Sequence, residues 1–401
     1  MNQQDILELV AKQPERWSLQ QDFYRDPDIY RHDVEQIFLK SWLYAGHQSE
    51  IPKIGDWFLL EFDEESVIIV RSAVNEINAL LNVCRHRGSR VCVESSGCNK
   101  RLTCRYHGWT YDLEGRLRAA ANMGESFDKN SFGLKKIHVG LLEGMIFVNF
   151  ADEPAPFSLV EEGLADCLEP YGFSNARVAH RQTYPIRANW KLSVENYTEC
   201  YHCAPAHPEY SRGHGLAYPG ARKTQLGRDV LARAAACGLS DRAVNRIYRS
   251  APAFGADCGF ERYPLIRDHL TGSRDGRPLA PLLGDIRDFD GGATDLQVGP
   301  VTFGLLYCDH AVIYRFTPTG PDTSECDITW LVRWDAEEGK AYDREKLVWL
   351  WDVTTQADKT IIERNQQGVN SHYYVSGPLS EMEVFTWDFL SWYLRTFRAA
   401  E

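Results

Sequence analysis

The chain has 401 residues, of which 44% are hydrophobic and 25% charged, and its formal net charge is −12. That length is enough for two domains with cores of their own, and the composition is typical of a globular protein. The acidic balance argues against nucleic acid as a partner, because phosphate contacts need a basic face.

The amino-terminal segment 1–17 is polar and lacks both the basic region and the apolar core of a signal peptide. No later stretch is apolar enough to span a membrane, so we expect a cytoplasmic protein with no membrane partner. Eleven cysteines in such a chain argue against a disulfide framework, since the cytosol keeps thiols reduced. Some of these cysteines are therefore candidate metal ligands.

Helix-like spacing of apolar residues runs through 5–40, and from Trp42 to about Asn149 the pattern changes to short β-like runs. Turn-forming residues separate these runs, which are Trp57–Leu60, Val67–Val70, Ala79–Leu81 and Met145–Val148. This pattern predicts a small all-β domain after an N-terminal helix. The segment Asp152–Pro156 has the composition of a linker.

The region after the linker has mixed periodicity. Helical patterns recur in Leu159–Leu168, Trp190–Cys203 and Arg344–Gln366. Runs typical of strands are Val301–Tyr307, Ala311–Phe316 and Asp327–Trp334. Between residues 208 and 300 the periodicity is weak, and frequent Gly and Pro predict loops and short helices that form part of a lid or wall.

Two mixed Cys/His motifs lie in the predicted β domain. They are Cys84-x-His86 and Cys104-x2-His107, each in a glycine-bearing loop. A zinc finger usually has two cysteines on one arm and two histidines on the other, whereas here each arm is mixed. This favours a [2Fe–2S] cluster in which one iron takes both cysteines and the other both histidines, which raises the reduction potential. Buried core cysteines near histidines are the alternative, but two mirrored pairs are not typical of a core.

The neighbours of these motifs have predicted roles as well. Gly88 and Gly108 would let backbone N–H groups approach the cluster, and Trp109 would shield it from water. Cys92 and Cys98 are expected to behave as small hydrophobic residues or surface thiols.

A second candidate metal site begins at Glu199-x2-His202-x4-His207. The run from Asn189, a good N-cap residue, is typical of a helix up to Pro205, which would put Glu199 and His202 on one face. His207 lies beyond the proline, where the returning chain could bring it beside His202. Two imidazoles and one carboxylate make the facial triad of non-haem Fe(II) oxygenases, which leaves positions open for O2 and substrate.

The carboxylate of this triad has to come from further along the chain. In the predicted helix Arg344–Gln366 the best candidate is Asp358, and spacing alone does not exclude Asp352 or Glu363. Two histidines five residues apart are weak evidence by themselves. Their value comes from their coexistence with the Cys/His motifs.

Together these motifs resemble the catalytic (alpha) subunits of Rieske non-haem iron oxygenases, over about Ile29–Trp392. The Cys-x-His and Cys-x2-His pattern of that family is matched by Cys84, His86, Cys104 and His107. Its Asn-x2-(Asp/Glu)-x2-His-x4-His pattern is matched by Asn196, Glu199, His202 and His207. The family's Asp-x4-Glu-x2-Gln run points to Asp358, with Glu363 and Gln366 as its companions.

The resemblance implies an α+β fold. An all-β Rieske [2Fe–2S] domain would be inserted beside a helix-grip catalytic domain, whose antiparallel sheet holds a long C-terminal helix. The corresponding domain prediction is 1–41 as the N-terminal helical part of the catalytic domain, 42–153 as the Rieske domain and 154–401 as the mononuclear-iron catalytic domain.

The resemblance also implies how the two centres work together. Glu199 would accept hydrogen bonds from His202 and, across the subunit interface of a homotrimer, from His107 of a neighbouring subunit. The alternative for Glu199 is an ordinary helix-surface carboxylate. Asn196 belongs to the same motif and is a catalytic candidate with Glu199. A flavin and iron–sulfur reductase would supply electrons from NAD(P)H, and O2 would be the co-substrate.

The overall likeness is to the quaternary-ammonium branch of the family. It implies oxidative N-demethylation of a betaine, of the glycine betaine or proline betaine type, with release of formaldehyde. A quaternary ammonium is held by aromatic faces. Candidate aromatic residues, most of which core packing also explains, are Phe303, Tyr307, Tyr314, Phe316 and Trp330.

Two alternative functions stay open at this point. One is an aromatic-ring hydroxylating mono- or dioxygenase, whose flat substrate would use the same apolar walls. The other is a Rieske electron carrier without a second iron. Iron content separates the carrier, with about two irons per chain, from an oxygenase with about three.

Overall fold

The computed structural model describes residues 1–215, 220–240, 244, 247–249, 255–266 and 268–398. Its α-helices are α1 Gln3–Lys12, α2 Asp22–Arg25, α3 Pro27–His32, α4 Ser158–Leu168, α5 Trp190–Tyr197, α6 Cys203–Ala206, α7 Pro208–Gly213, α8 Gly220–Ala234, α9 Arg344–Val369 and α10 Val384–Thr396. A π-helix, Asp33–Phe38, follows α3, and short 3₁₀ helices span Gln48–Glu50, Lys129–Phe132, Glu169–Tyr171 and Phe173–Asn175.

The strands in the first half of the chain are β1 Leu43–His47, β2 Asp56–Phe62, β3 Glu65–Ala73, β4 Glu76–Leu81, β5 Ser96–Cys98, β6 Leu102–Thr103, β7 Thr110–Tyr111, β8 Leu117–Ala119, β9 Lys136–Leu142 and β10 Met145–Asn149. The strands in the second half are β11 Ala176–Ile186, β12 Ile247–Arg249, β13 Cys258–Pro264, β14 Gly292–Val298, β15 Thr302–Leu306, β16 Ala311–Gly320 and β17 Thr323–Arg333.

The first ten strands form two antiparallel sheets. The larger has the strand order β1-β10-β9-β4-β3-β2-β5, and the smaller has the order β6-β7-β8. Alternate residues of a strand point to opposite faces. On β3, Val67 and Ile69 therefore join the central core of the protein, whereas Ile68 and Val70 join a separate small core that contains Cys84. Both faces of this strand are buried, which explains its run of β-branched residues.

The last seven strands form a second antiparallel sheet, with the order β11-β17-β16-β15-β14-β13-β12. One face contributes Tyr314, Phe316 and Ile328 to the central core, and the opposite face contributes Ile313 and Leu331 to another core. The sheet therefore separates two apolar layers, and the first of them also contains residues of α5 and α9.

The long helix α9 packs on this sheet and on α5. Its buried side chains recur every three or four residues, as on one face of a helix, and include Leu347, Leu350, Trp351, Thr354 and Thr355. An all-β unit next to a helix on an antiparallel sheet confirms the predicted α+β class. No described helix, α9 included, is both long and apolar enough to cross a membrane.

The region 208–300 is more regular than predicted. The prediction was loops and short helices, whereas the structure has the 15-residue helix α8 and the strands β13 and β14 there. The strand periodicity was concealed because the residues of one face include the acids Glu261 and Asp295, which lie opposite each other on β13 and β14. Part of the predicted loop region, including 216–219 and 241–243, lies outside the described residues.

A fully buried ion pair ties the amino-terminal helices to α5. The ammonium group of Lys191 contacts the carboxylate of Asp33 in the π-helix, and neither side chain is exposed. The indole N–H of Trp190 and the hydroxyl of Tyr393 donate to the same carboxylate, at 3.0 and 2.9 Å. Three donors compensate the lost hydration of the buried charge, so the group is stable only as a complete set.

Replacing Lys191 with methionine is expected to lower the thermal unfolding temperature. The variant keeps the apolar stem but leaves Asp33 buried without its cation, which costs about 3–5 kcal/mol. Scanning calorimetry measures the shift. Lys346→Met, at a side chain that is 75% exposed on α9, is the matched control and should change little. Equal unfolding temperatures for both variants would contradict a stabilising role for the pair.

Candidate metal centres

The four residues of the Cys/His motifs meet between two loops. The side chains of Cys84 and Cys104 are buried, whereas those of His86 and His107 are exposed. The Nδ1 atoms of the two histidines lie 3.1 Å apart. Two sulfur atoms therefore lie on the inner side of this site and two nitrogen atoms on the outer side. That arrangement of donors fits a mixed [2Fe–2S] cluster.

The two loops have the same backbone geometry. The N–H of Gly88 donates to the carbonyl of Cys84 at 2.9 Å, and the N–H of Gly108 donates to that of Cys104 at 3.0 Å. The φ angles of the two glycines are +80° and +72°. A Cβ at either position would meet no protein atom within 4 Å, so the left-handed backbone, and not crowding by the protein, requires glycine here.

Two aromatic side chains complete the surroundings of this site. Trp109 is buried and stacks on His86, with 4.9 Å between ring centroids. The hydroxyl of Tyr111 lies 3.3 Å from Sγ of Cys84 and accepts the backbone N–H of Arg85. Burial raises the pKa of Tyr111, so the phenol keeps its proton and can donate it to sulfur. Hydrogen bonds to sulfur tune cluster potentials. Tyr111 was missed because no sequence motif marks it.

Helix α5 leads into the second candidate site and ends earlier than predicted. The side chain of Asn189 caps its first turn, and Tyr197 is its last residue. The carboxylate of Glu199 then accepts the backbone N–H groups of Tyr201 and His202, which replaces helical hydrogen bonds with a local turn. The prediction that Glu199 and His202 share one helix face is therefore wrong. They meet through this turn.

Three side chains of the second site converge. Oδ1 of Asp358 is 2.9 Å from Nε2 of His207 and 3.2 Å from Nε2 of His202. Yet Oδ1 and both ring nitrogens of His207 are buried and form no aligned hydrogen bond within the described part of the chain. Polar atoms that approach one another without hydrogen bonding point at a common centre. Metal ligands are arranged in this way.

The rival carboxylates on α9 are engaged elsewhere. The carboxylate of Asp352 accepts a hydrogen bond from the hydroxyl group of Tyr184 at 2.8 Å. Glu363 forms ion pairs with Arg187 at 2.9 Å and with Lys359 at 2.7 Å. Desolvation raises the pKa of Glu363, but the effect of these two cations is larger and lowers the pKa to about 2. Both rivals therefore have structural partners away from the histidine pair.

Glu363 and Gln366 connect α9 to the chain just before α5. Glu363 accepts the backbone N–H of Arg187 at 3.1 Å, and Gln366 accepts that of Asn189 at 2.8 Å. Since α5 leads to the two histidines, these bonds help to set the position of Asp358 relative to them. The companions of Asp358 in the sequence motif thus have a positioning role.

Cys203 is a further residue that could bind a metal. Its sulfur and one nitrogen each of His202 and His207 lie within 4.8 Å of one another. However, Cys203 is joined to Cys200 by a disulfide bond, so its sulfur is not available as a thiolate. Asp358 also approaches both histidines more closely. A single bond between residues three apart is not a disulfide framework, and the other nine cysteines form no disulfide bond.

The charge balance of the second site favours a cation. Burial lowers the pKa of His202, but Asp358 and Glu199 outweigh it and raise the pKa to about 9. The two histidines in turn hold the pKa of Asp358 below its ordinary value despite desolvation. Two carboxylates beside two imidazoles therefore attract positive charge. A divalent ion such as Fe(II) would supply it with the imidazoles neutral.

Two further residues hold His202 in place. Its Nδ1 lies 2.6 Å from Oε1 of Glu199, and its Nε2 lies 3.3 Å from Nδ2 of Asn196. A carboxylate that accepts from Nδ1 fixes the tautomer in which Nε2 carries a lone pair, and this lone pair can meet either the amide of Asn196 or a metal ion. Within the described residues of one chain, Glu199 makes no hydrogen bond with His107.

Three of the five aromatic residues proposed for the substrate pocket surround Tyr197. Their ring centroids lie 4.3, 5.3 and 5.8 Å from that of Tyr197, and they are Phe303, Tyr314 and Phe316 respectively. The other two pack against histidines outside this group: Tyr307 and Trp330. We call Tyr197 with Phe303, Tyr314 and Phe316 the aromatic group.

Comparison with known families excludes one of the two alternative functions. Residues 173–399 match the ring hydroxylating alpha subunit (catalytic domain) family, and residues 41–137 match the Rieske [2Fe-2S] domain family. The chain belongs to the Rieske non-haem iron oxygenase alpha subunits. The electron-carrier alternative is excluded, because the catalytic-domain match extends over more than half of this oxygenase.

Individual relatives match nearly the whole oxygenase. Its sequence is 38% identical over 385 residues to that of the glycine betaine monooxygenase oxygenase subunit of Chromohalobacter salexigens. The alignment covers 94% of this chain and 85% of that protein. The subunit of the same name from Pseudomonas aeruginosa is 35% identical over 389 residues, 96% of this chain and 90% of that one. The structure of a quaternary ammonium Rieske monooxygenase has the same fold, with a TM-score of 0.74 at 20% identity and 98% coverage of both chains.

The family membership establishes the chemistry in outline. The oxygenase is an oxidoreductase with a Rieske [2Fe–2S] cluster and a mononuclear iron, and it uses O2. As an oxygenase subunit of this type it takes a small-molecule substrate and depends on a reductase partner.

Proposed function

We propose that the oxygenase removes an N-methyl group from a betaine, of the glycine betaine or proline betaine type, and releases formaldehyde. The observation that carries this proposal is the nearly full-length match to two subunits named for glycine betaine. The aromatic group supports it, since a quaternary ammonium has no N–H to donate and is attracted by aromatic faces. Tyr197 in that group directly follows Asn196, which contacts His202.

We further propose which residues hold the two cofactors. The mononuclear iron would be held by His202, His207 and Asp358. The convergence of these three side chains supports this assignment, and two imidazoles with one carboxylate leave neighbouring positions open for O2 and substrate. The cluster would be held by Cys84, His86, Cys104 and His107, on the evidence of the two matching loops.

The residues of the chain would orient the reaction. When bound, the cluster supplies single electrons and the mononuclear iron supplies O2 activation next to the substrate. Glu199 holds Nδ1 of His202 and so leaves Nε2 toward Asp358. The buried position of His207 limits access of water.

The proposed reaction consists of a hydroxylation and a cleavage of the C–N bond. Hydroxylation of one N-methyl group uses O2, two electrons and two protons, and the second oxygen atom leaves as water. The C–N bond of the resulting hydroxymethyl group then breaks, its electron pair stays on nitrogen, and formaldehyde and a proton are released. The products are formaldehyde and the tertiary amine.

The domain division and the assembly are also proposals. Residues 42–153 would form the Rieske domain, and 1–41 with 154–401 the catalytic domain. The buried Asp33–Lys191 pair and the separate core at Cys84 support this division. A homotrimer is proposed because Glu199 does not contact His107 of its own chain, so a bridge between the centres needs a neighbouring subunit. A flavin and iron–sulfur reductase would supply electrons from NAD(P)H.

Iron-loaded enzyme with NADH, a reductase and O2 is expected to release formaldehyde from a betaine. The panel contains glycine betaine, proline betaine, carnitine, choline and simple aromatic acids, and the demethylated amine is measured in parallel. A single turnover after dithionite reduction replaces the reductase if none couples well. Formaldehyde from none of the methylammonium compounds, with O2 uptake stimulated by an aromatic acid, would replace this proposal with ring hydroxylation.

A further inference from the structure

A buried tyrosine–histidine pair lies near the candidate iron site. Tyr307 directly follows β15, and His214 directly follows α7, the helix that begins after His207. The hydroxyl group of Tyr307 lies 2.7 Å from Nε2 of His214. Tyr307 has no exposed surface and His214 is 4% exposed, so bulk water does not reach the bond between them. His214 is therefore the group that can take a proton from Tyr307.

The hydrogen bonds of His214 fix its tautomer. Its Nδ1 lies 2.8 Å from the backbone carbonyl of Tyr210. A carbonyl oxygen can only accept, so Nδ1 carries the ring proton and Nε2 presents a lone pair to the hydroxyl group of Tyr307. Burial lowers the pKa of His214 to about 4, although the bond to Tyr210 opposes this, so the ring is neutral at neutral pH. Tyr307 thus donates to a neutral base.

Aromatic rings connect this pair to the candidate iron site. The ring centroid of Tyr210 on α7 lies 5.7 Å from that of His207 and 6.0 Å from that of Trp351 on α9. Trp351 is fully buried, and its ring lies 5.7 Å from that of Tyr307. A Cβ at Gly272 would approach Tyr307 to 2.5 Å and Trp351 to 2.9 Å, so a glycine there lets these rings pack closely. Electron tunnelling weakens steeply with distance, and these contacts form a continuous path from His207 to Tyr307.

We propose that Tyr307 is a redox-active tyrosine that gives one electron to the iron site when O2 has been activated there without a substrate. The inference goes beyond demethylation and rests on the proposed iron ligands. The electron passes through Trp351 and Tyr210 and reduces the oxidant derived from O2. The O–H bond of Tyr307 breaks, its proton moves to Nε2 of His214, and a neutral phenoxyl radical remains. A phenol that has lost an electron is a strong acid, so even a weakly basic imidazole takes its proton.

This donation would protect the iron ligands. O2 activated without a substrate oxidises the nearest side chains, and the rings of His202 and His207 belong to the site itself. Transfer to Tyr307 carries the oxidising equivalent away from both histidines. An electron from the reductase partner then restores Tyr307, and the proton returns from His214. The alternative is a bond that only satisfies two buried polar groups.

Electron paramagnetic resonance of freeze-quenched samples tests the inference. The iron-loaded enzyme is mixed with hydrogen peroxide, which supplies the oxidising equivalents, in the absence of substrate. We expect an organic radical whose signal narrows when the protein contains ring-deuterated tyrosine. Tyr307→Phe should reduce the tyrosyl signal at least about tenfold. His214→Gln keeps a hydrogen-bond acceptor but no base, and it should reduce the signal by a similar factor, which loss of a purely structural bond would not explain.

Tyr44→Phe is the matched control. Tyr44 is as fully buried as Tyr307, but its hydroxyl group forms no hydrogen bond within the described residues. This variant should keep the tyrosyl signal of the wild type. Iron content and the cluster spectrum check that each variant remains intact. An unchanged signal in Tyr307→Phe, or an equal loss in Tyr44→Phe, would overturn the inference.

A measurement on the wild type does not depend on how the variants fold. The radical on Tyr307 should accept a hydrogen bond from the protonated His214. Electron–nuclear double resonance before and after exchange into D2O should therefore detect one strongly coupled, exchangeable proton. A tyrosyl radical without this coupling would lie on a tyrosine that has no histidine partner, which would refute the assignment to Tyr307.

The radical assay and the formaldehyde assay fail independently. Formaldehyde release from a betaine without any tyrosyl signal, in an enzyme with about three irons per chain, would reject this inference and leave demethylation standing. A tyrosyl signal that depends on Tyr307 and His214, without formaldehyde from any betaine, would support this inference and reject demethylation.

Discussion

Asp358→Ala is expected to lose the mononuclear iron and keep the [2Fe–2S] cluster. Iron content should fall from about three to about two atoms per chain, and turnover should fall by more than about 100-fold. The physical reason is the position of Oδ1 of Asp358, which lies within 3.2 Å of Nε2 of both His202 and His207. Without this carboxylate two imidazoles remain, and they hold Fe(II) weakly. Mass spectrometry of iron and the spectrum of the reduced cluster measure the two centres separately.

Asp352→Ala is the matched control on the same helix. Its carboxylate accepts a hydrogen bond from Tyr184 and does not reach the histidine pair. The control should therefore keep about three irons per chain. Full iron content in Asp358→Ala would refute the assignment. Loss of iron in Asp352→Ala with retention in Asp358→Ala would transfer the ligand role to Asp352.

The candidate cluster site was the most predictable part of this protein from sequence. Each of its two loops is short, and its glycine and donor residues lie within a few positions of one another. The spacing within each loop is therefore enough to predict which of its side chains lie close together. The structure brings the two loops together, and with them Cys84, His86, Cys104 and His107. The interaction of Tyr111 with Cys84 comes from strand pairing, which no local motif encodes.

The second site was harder to predict because it is assembled from distant segments. Three acids on one helix were candidates, and only packing of α9 against the segment before α5 decides among them. The end of α5 was misjudged because the Glu199 side chain competes with the helix for backbone N–H groups.

Glu199→Gln is expected to leave both metal centres loaded and reduce turnover by roughly 10- to 100-fold. Glutamine keeps the size of the side chain, so the local turn with Tyr201 and His202 should survive. It loses the negative charge that holds Nδ1 of His202 at 2.6 Å. If Glu199 also connects His202 to His107 of a neighbouring subunit, the path for electrons between the centres is weakened. Stopped-flow reoxidation of the reduced cluster, started with substrate and O2, measures that step directly.

The control for this prediction is Glu209→Gln, the same change at an exposed glutamate on α7, which should keep normal turnover. The rate of cluster reoxidation separates two roles of Glu199. A bridging residue affects this rate while iron content stays full, whereas a residue that only supports His202 affects iron affinity first. Turnover and cluster reoxidation at wild-type rates in Glu199→Gln would therefore remove Glu199 from the electron path. Slow reoxidation with both centres loaded would instead support a path that crosses between subunits, because no contact joins Glu199 to His107 within the described residues of one chain.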